Sequence, residues 1–134
     1  MALTAQQANR ELAGIWPGCE YEILELTPVY AKTWRDLSEI TLRPGGFVPG
    51  PAQFAIADAV LWYLVFGALD RVEPMAMTAE LSMRFLRPGV GARLFAEARL
   101  DKAGRRSVVG TVRVWTDDNT GRPCSTGQGT YMLP

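Results

Sequence analysis

The sequence predicts an α+β domain in which one long apolar helix is wrapped by a curved antiparallel β-sheet. Three observations lead there. With few exceptions residues 52–69 are Ala, Leu, Phe, Trp, Tyr, Val and Ile on every face of a helix, and such a helix has to be enclosed by protein. Several later segments alternate polar and apolar residues and are separated by turn residues that suit antiparallel hairpins. One helix buried by one sheet satisfies the apolar surface of both layers.

Taken in order, residues 4–13 (TAQQANRELA) have helix-forming composition with Thr4 as N-cap, and Pro17-Gly18 closes the segment. Residues 1–18 are therefore expected as a peripheral helix lying across the core. YEILEL (21–26) alternates as a strand with one wet face does, and Pro28 breaks it. VYAKTW (29–34) and SEITLR (38–43) read as a second and a third extended piece, with a polar turn at Arg35-Asp36 between them. Pro44-Gly45-Gly46 and Pro49-Gly50-Pro51 then stop the chain, and Pro51 suits the first helical position, where its missing N–H loses nothing. The apolar run after Asp58 covers 11 residues (59–69), short of the roughly 20 a bilayer needs, which favours a core helix.

After the helix, Glu73-Pro74 marks a turn and the strand patterns follow. In MTAELSMRFLRP (77–88), Thr78, Glu80, Ser82 and Arg84 alternate with Ala79, Leu81, Met83 and Phe85. ARLFAEARLDKA (92–103), RRSVVGTVRVWTDD (105–118) and RPCSTGQGTYMLP (122–134) complete a meander, with turn residues at 101–104 and 117–121. The 134 residues fit a single domain. Free sheet edges invite pairing with a second copy, so a homodimer is expected, doubled into a homotetramer.

Composition narrows the chemistry. Lys and Arg total 14 and so do Asp and Glu, so no charge excess points to nucleic acid or to an anionic membrane. The N-terminus lacks the pattern of a signal peptide, which makes a cytoplasmic location the expectation. Cys19 and Cys124 match neither a redox nor a zinc spacing. With 0 His, a Ser/His/Asp or Cys/His triad and a His-based zinc site are excluded, and no metal or organic cofactor is expected. Carboxylates and backbone amides have to carry any catalysis. The singular residue is Asp58, a carboxylate inside the apolar helix. Such an acid is hydrogen-bonded, at a boundary with another chain, or at a site.

Four motifs in order support a resemblance. Pro49-Gly50-Pro51 precedes Ile56-Ala57-Asp58, Thr78 precedes Phe85-Leu86-Arg87-Pro88, Gly104-Arg105 opens a hairpin, and a small-residue strand ends in Thr130-Tyr131. Over residues 37–132 this resembles the hotdog-fold thioesterases of the phenylacetate-pathway (PaaI-like) type. Their His-Gly-Gly turn and Leu-Ala-Asp helix match the first pair, and their Thr/Ser strand ending in Tyr/Phe-Leu-x-Pro matches the second. The resemblance implies a hotdog fold and hydrolysis of an acyl-CoA thioester with an aromatic or medium-chain acyl group. It implies that the Gly50 amide is the oxyanion donor, that Asp58 of the opposite subunit is base or nucleophile, and that Thr78 positions the water or the acid. Arg43, Pro49, Gln53, Phe54 and Arg87 would bind substrate. The family's His is Pro49 here, the second Gly of its turn is Pro51, and its Asn falls at Arg43. These departures set a non-catalytic acyl-CoA binding protein beside the enzyme as the competing function.

Overall fold

The computed structural model describes residues 2–134. Helix α1 (Ala5–Ile15) is followed by β1 (Glu22–Thr27), β2 (Tyr30–Asp36), the long helix α2 (Gly50–Leu69), and then β3 (Met77–Phe85), β4 (Arg93–Ala103), β5 (Ser107–Thr116) and β6 (Ser125–Met132). The strands form one six-stranded sheet in the order β1-β2-β4-β5-β6-β3, and every pairing is antiparallel. The hotdog architecture expected from the sequence is present, a long helix cradled by a single sheet.

Helix α1 begins in a capping box: Thr4 Oγ1 accepts from the Gln7 amide and Gln7 Oε1 accepts from the Thr4 amide. Its inner face is short, with Ala8 and Leu12 buried. Asn9 fixes it to β1, donating to the Ile23 carbonyl at 2.9 Å and accepting from the Ile23 amide at 3.0 Å. Helix α2 has 20 residues and is apolar enough to cross a bilayer by length and composition alone. The 11-residue run that argued against a membrane span therefore understated the helix, which continues N-terminally through Asp58 to Gly50. What marks it as a core element is enclosure: Ile56, Ala57, Val60, Tyr63, Leu64, Val65 and Phe66 are all fully buried.

Three local expectations are corrected. SEITLR (38–43) is not a strand, and Arg35-Asp36 is not a turn. Strand β2 runs on through both residues because they keep register with β4, Arg35 opposite Leu94 and Asp36 opposite Arg93. The turn comes afterwards, where the Asp36 carboxylate accepts from the Ser38 amide at 2.7 Å. Arg43 then pairs only with Phe47, closing a tight loop in which Gly45 and Gly46 have φ of 93° and 80°, a conformation that favours glycine. Pro51 occupies the second helical position rather than the first, because the helix starts at Gly50 with Pro49 as its N-cap.

The helix sits close on the sheet because glycines make room for it. A Cβ on Gly129 would lie 2.5 Å from a Leu61 methyl, and one on Gly110 would lie 2.7 Å from a Leu64 methyl. At the C-terminal end the space is tighter still, since a Cβ on Gly67 would be 2.2 Å from the Thr27 carbonyl oxygen, which is backbone and cannot rotate away. Gly67→Ala is therefore expected to lower unfolding free energy by about 3 kcal/mol, the upper end of the overpacking range, read as a fall in the urea midpoint. An unchanged midpoint would mean that α2 and the end of β1 do not pack this closely in solution.

Candidate active site

Asp58 lies on the N-terminal half of α2, on the helical face it shares with Gly50 and Phe54 through successive spacings of four residues. Its carboxylate is held by one oxygen. Oδ1 accepts from Thr78 Oγ1 at 2.7 Å and from the Tyr131 hydroxyl at 2.8 Å, and no described residue hydrogen-bonds to Oδ2. The Tyr131 hydroxyl also lies 3.1 Å from the Asp58 main-chain carbonyl, so one phenol spans side chain and helix backbone. Hydrogen bonds to an ionised oxygen are stronger than neutral ones, and two of them fix the plane of the carboxylate while leaving its other oxygen available.

Thr78 and Tyr131 meet Asp58 because they are cross-strand partners in the β3–β6 pair. A register shift between Thr78 and Glu80 is what turns Thr78 inward. Simple alternation sets Thr78 on the face opposite Leu81, Met83 and Phe85. The bulge reverses that phase and brings all four to the helix side. Tyr131 is the residue that sequence reasoning missed as a site member. In the sequence it stands only at the end of a motif, and its contact with Asp58 becomes visible once the strand pairing sets it opposite Thr78. Burial pushes its phenol above the ordinary value of 10.0; Thr78 pulls it back, and the neighbouring Asp58 charge adds to the rise. It stays protonated and can donate to Asp58 throughout the neutral range.

At the start of α2 the amides are nearly all used. The Ala52 and Gln53 amides donate to the Pro49 carbonyl at 3.1 and 3.2 Å, and Pro51 has no N–H. Among the described residues the Gly50 N–H is left as the free donor of the first turn, at the positive end of the helix dipole. Within one chain nothing demands glycine at this position: a Cβ there would meet only the Phe85 ring at an ordinary 3.7 Å.

Three cavities follow one another past these residues. The first contains Arg43, Phe47, Gln53 and Arg87 and shares Gly50 and Phe85 with the second. The second contains Phe54 and shares Ala55 and Asp58 with the third. Phe54 and Phe85 are exposed, at 41% and 54%. Arg43 makes no ion pair among the described residues, and Arg87 donates to the Pro123 carbonyl. Gln53 is buried and donates to the Val48 carbonyl at 3.2 Å, which holds the approach to the helix in place. The structure thus gathers Asp58 and Thr78 with Tyr131, and sets Gly50, Arg43, Phe54 and Arg87 along the cavities. Pro49 acts on the backbone, as N-cap and acceptor.

The comparisons with known proteins agree with this architecture. Residues 45–122 match the model of the thioesterase superfamily. The chain belongs to the thioesterase superfamily. A protein of Saccharolobus solfataricus, provisionally named an esterase, is 30% identical over 116 residues, which is 87% of this chain and 73% of that relative. A crystal structure from a Silicibacter species, provisionally named a thioesterase, superposes with a TM-score of 0.86 at 31% identity over 98% of this chain and 92% of that one. A Streptococcus mutans structure bound to acetyl-CoA has a TM-score of 0.72 at 17% identity, covering 85% of this chain and 88% of that one. The superfamily match begins at residue 45, so α1, β1 and β2 lie before it.

Tyr131 is one of 4 tyrosines in this superfamily member, and burial raises the pKa of each: Tyr21, Tyr30, Tyr63 and Tyr131. Their protonated forms are favoured in the folded state. The resulting stabilisation is fully present below the unfolded value of about 10 and is lost as pH rises through the higher folded values. Melting temperature should therefore fall on going from pH 9 to pH 11, with tyrosinate absorbance appearing together with unfolding. Reversible ionisation of the tyrosines at their ordinary value in a folded protein would contradict this.

Proposed function

We propose that the protein is an acyl-CoA thioesterase of the PaaI-like type that works as a homodimer. Membership of the thioesterase superfamily sets the reaction class, thioester hydrolysis. The observation that carries the reading is the Asp58 carboxylate, anchored through one oxygen by Thr78 and Tyr131 and bordering two of the three cavities. The acetyl-CoA bound to the Streptococcus mutans relative supports coenzyme A as the carrier.

In this reading the free Oδ2 of Asp58 either removes a proton from water as the water oxygen attacks the thioester carbonyl carbon, or attacks that carbon itself to give, once the thiolate has left, an acyl-aspartyl anhydride that a water then hydrolyses to the free acid and the Asp58 carboxylate. The carbonyl oxygen becomes an oxyanion facing the Gly50 N–H, whose dipole is already oriented toward it. Collapse expels the coenzyme A thiolate. A thiol with a pKa near 8.5 is a good leaving group, so the absence of histidine removes no proton donor that the step requires.

Distance supports subunit pairing. Gly50 and Asp58 are eight residues apart on one helix, about 12 Å at 1.5 Å per residue. One thioester carbonyl needs its oxyanion donor and its attacking oxygen each within roughly 3–3.5 Å, so the two groups of a single chain do not serve the same carbonyl. The unpaired outer edge of β3, with Thr78 on it and exposed Met77 and Phe85 at its ends, is the edge through which a second copy extends the sheet and brings its own Asp58 to this Gly50. Light scattering at micromolar concentration is expected to give a dimer or its doubled tetramer, and a stable monomer would overturn the composite site.

A second reading, an acyl-CoA binding protein without turnover, is favoured by one feature: prolines on both sides of Gly50 leave the oxyanion a single helix-end donor. Asp58→Asn separates the two. For the enzyme, kcat/KM should fall by about 10² to 10⁴-fold with acyl-CoA affinity nearly kept. Undiminished hydrolysis by the folded variant would remove Asp58 from the mechanism, and absence of thiol release by the wild type across a panel of acyl-CoAs would favour the binder.

A further inference from the structure

We infer that the segment joining α1 to β1, residues 16–21, forms the outer wall of an acyl-binding pocket, and that Trp16 sets the preference of this protein for large apolar acyl groups. The inference rests on the acyl-CoA reading above.

The three cavities give a bound acyl-CoA a direction. The end near Arg43 and Arg87 carries the cationic side chains that suit the phosphates of coenzyme A. The middle cavity, between Phe54 and Phe85, adjoins it at Gly50. In the composite site a thioester whose carbonyl lies between the Gly50 of one chain and the Asp58 of the other has its coenzyme arm on the Gly50 side of the first chain, and its acyl group passes the carboxylate into the third cavity of the second. That cavity, of about 460 Å³, is walled by Trp16, Tyr21, Trp62 and Tyr131 and floored by Ala55 and Ala59. Its one other carboxylate, Glu20, is paired with Arg35 and so is already neutralised. What this space offers an acyl group is aromatic surface over two alanines, which selects apolar chains or rings over short or charged ones.

Trp16 is the removable part of that wall. It packs edge-on against Trp62 with ring centroids 5.9 Å apart, and Trp62 in turn packs on Phe66 at 4.8 Å. Its backbone is fixed as the C-cap of α1, with its N–H on the Leu12 carbonyl, and α1 is tied to β1 through Asn9. The residue borders the third cavity and is 41% exposed.

The test compares hexanoyl-CoA with acetyl-CoA on wild type, Trp16→Ala and Trp16→Phe. Two quantities are measured: kcat/KM for each ester, and Kd for the matching non-hydrolysable thioethers by calorimetry. Circular dichroism melting verifies that each variant is folded. The wild type should prefer the hexanoyl compound, Trp16→Ala should lower the hexanoyl-to-acetyl ratio about tenfold in both quantities, and Trp16→Phe should recover most of it. A ratio that Trp16→Ala leaves unchanged, or a wild type that prefers acetyl, overturns the pocket. Wild-type protein that hydrolyses neither ester but shows the Trp16-dependent preference in Kd overturns the enzymatic reading and supports the pocket.

Discussion

The single sheet covers only part of a helix that is apolar on every face, and most of this architecture answers that constraint. The sheet encloses the side of α2 carrying Ile56, Val60, Leu64 and the residues near them, with Gly110 and Gly129 allowing close approach. The end of α1 and the segment after it cover part of the opposite side, where Trp16 meets Trp62. The N-terminal half is left partly open, with Phe54 and Phe85 exposed. Large apolar surface that one chain leaves uncovered is where a partner or a ligand binds. In this molecule that opening is where Asp58 lies.

The acid is tolerated there because its hydrogen bonds are supplied by the sheet rather than by its own helix. Thr78 comes from β3, the element that follows α2 in the chain, and Tyr131 from β6, far on in sequence, and the two strands are neighbours in the sheet. Burial keeps the phenol protonated, so the arrangement does not depend on a second group changing charge. Anchoring one carboxylate oxygen while leaving the other without a partner among the described residues differs from full neutralisation by an ion pair, which would have fixed the acid as a purely structural element. It is also a solution open to a chain without histidine, since two hydroxyls orient the carboxylate where an imidazole is absent.

The turn before α2 is built with a different economy. Pro49 caps the helix through its carbonyl and Pro51 contributes no donor, so the amide left over at Gly50 is singled out by the absence of competitors. The preceding loop, with Gly45 and Gly46 in left-handed conformation, aims Arg43 back toward the same cavity. Residues 38–43 looked strand-like because polar and apolar residues alternate. They remain outside the sheet because β2 already uses its register with β4 as far as Asp36, and on its other side β2 is paired with β1.

By itself the sequence determined the elements whose signals are local. The all-round apolar helix, the Thr4 cap, the hairpin turns and the position of Asp58 within α2 follow from periodicity and from the chemistry of proline, glycine and hydroxyl residues. The absence of histidine settled in advance which catalytic constellations the chain cannot build. Tertiary structure alone decided which side chains reach Asp58. A one-residue bulge at Ala79 reverses the face of Thr78, and the β3–β6 register sets Tyr131 opposite it. Neither is legible in a linear pattern, because alternation predicts faces only while the ladder stays regular, and because residues 78 and 131 are brought together by strand pairing across a long stretch of chain.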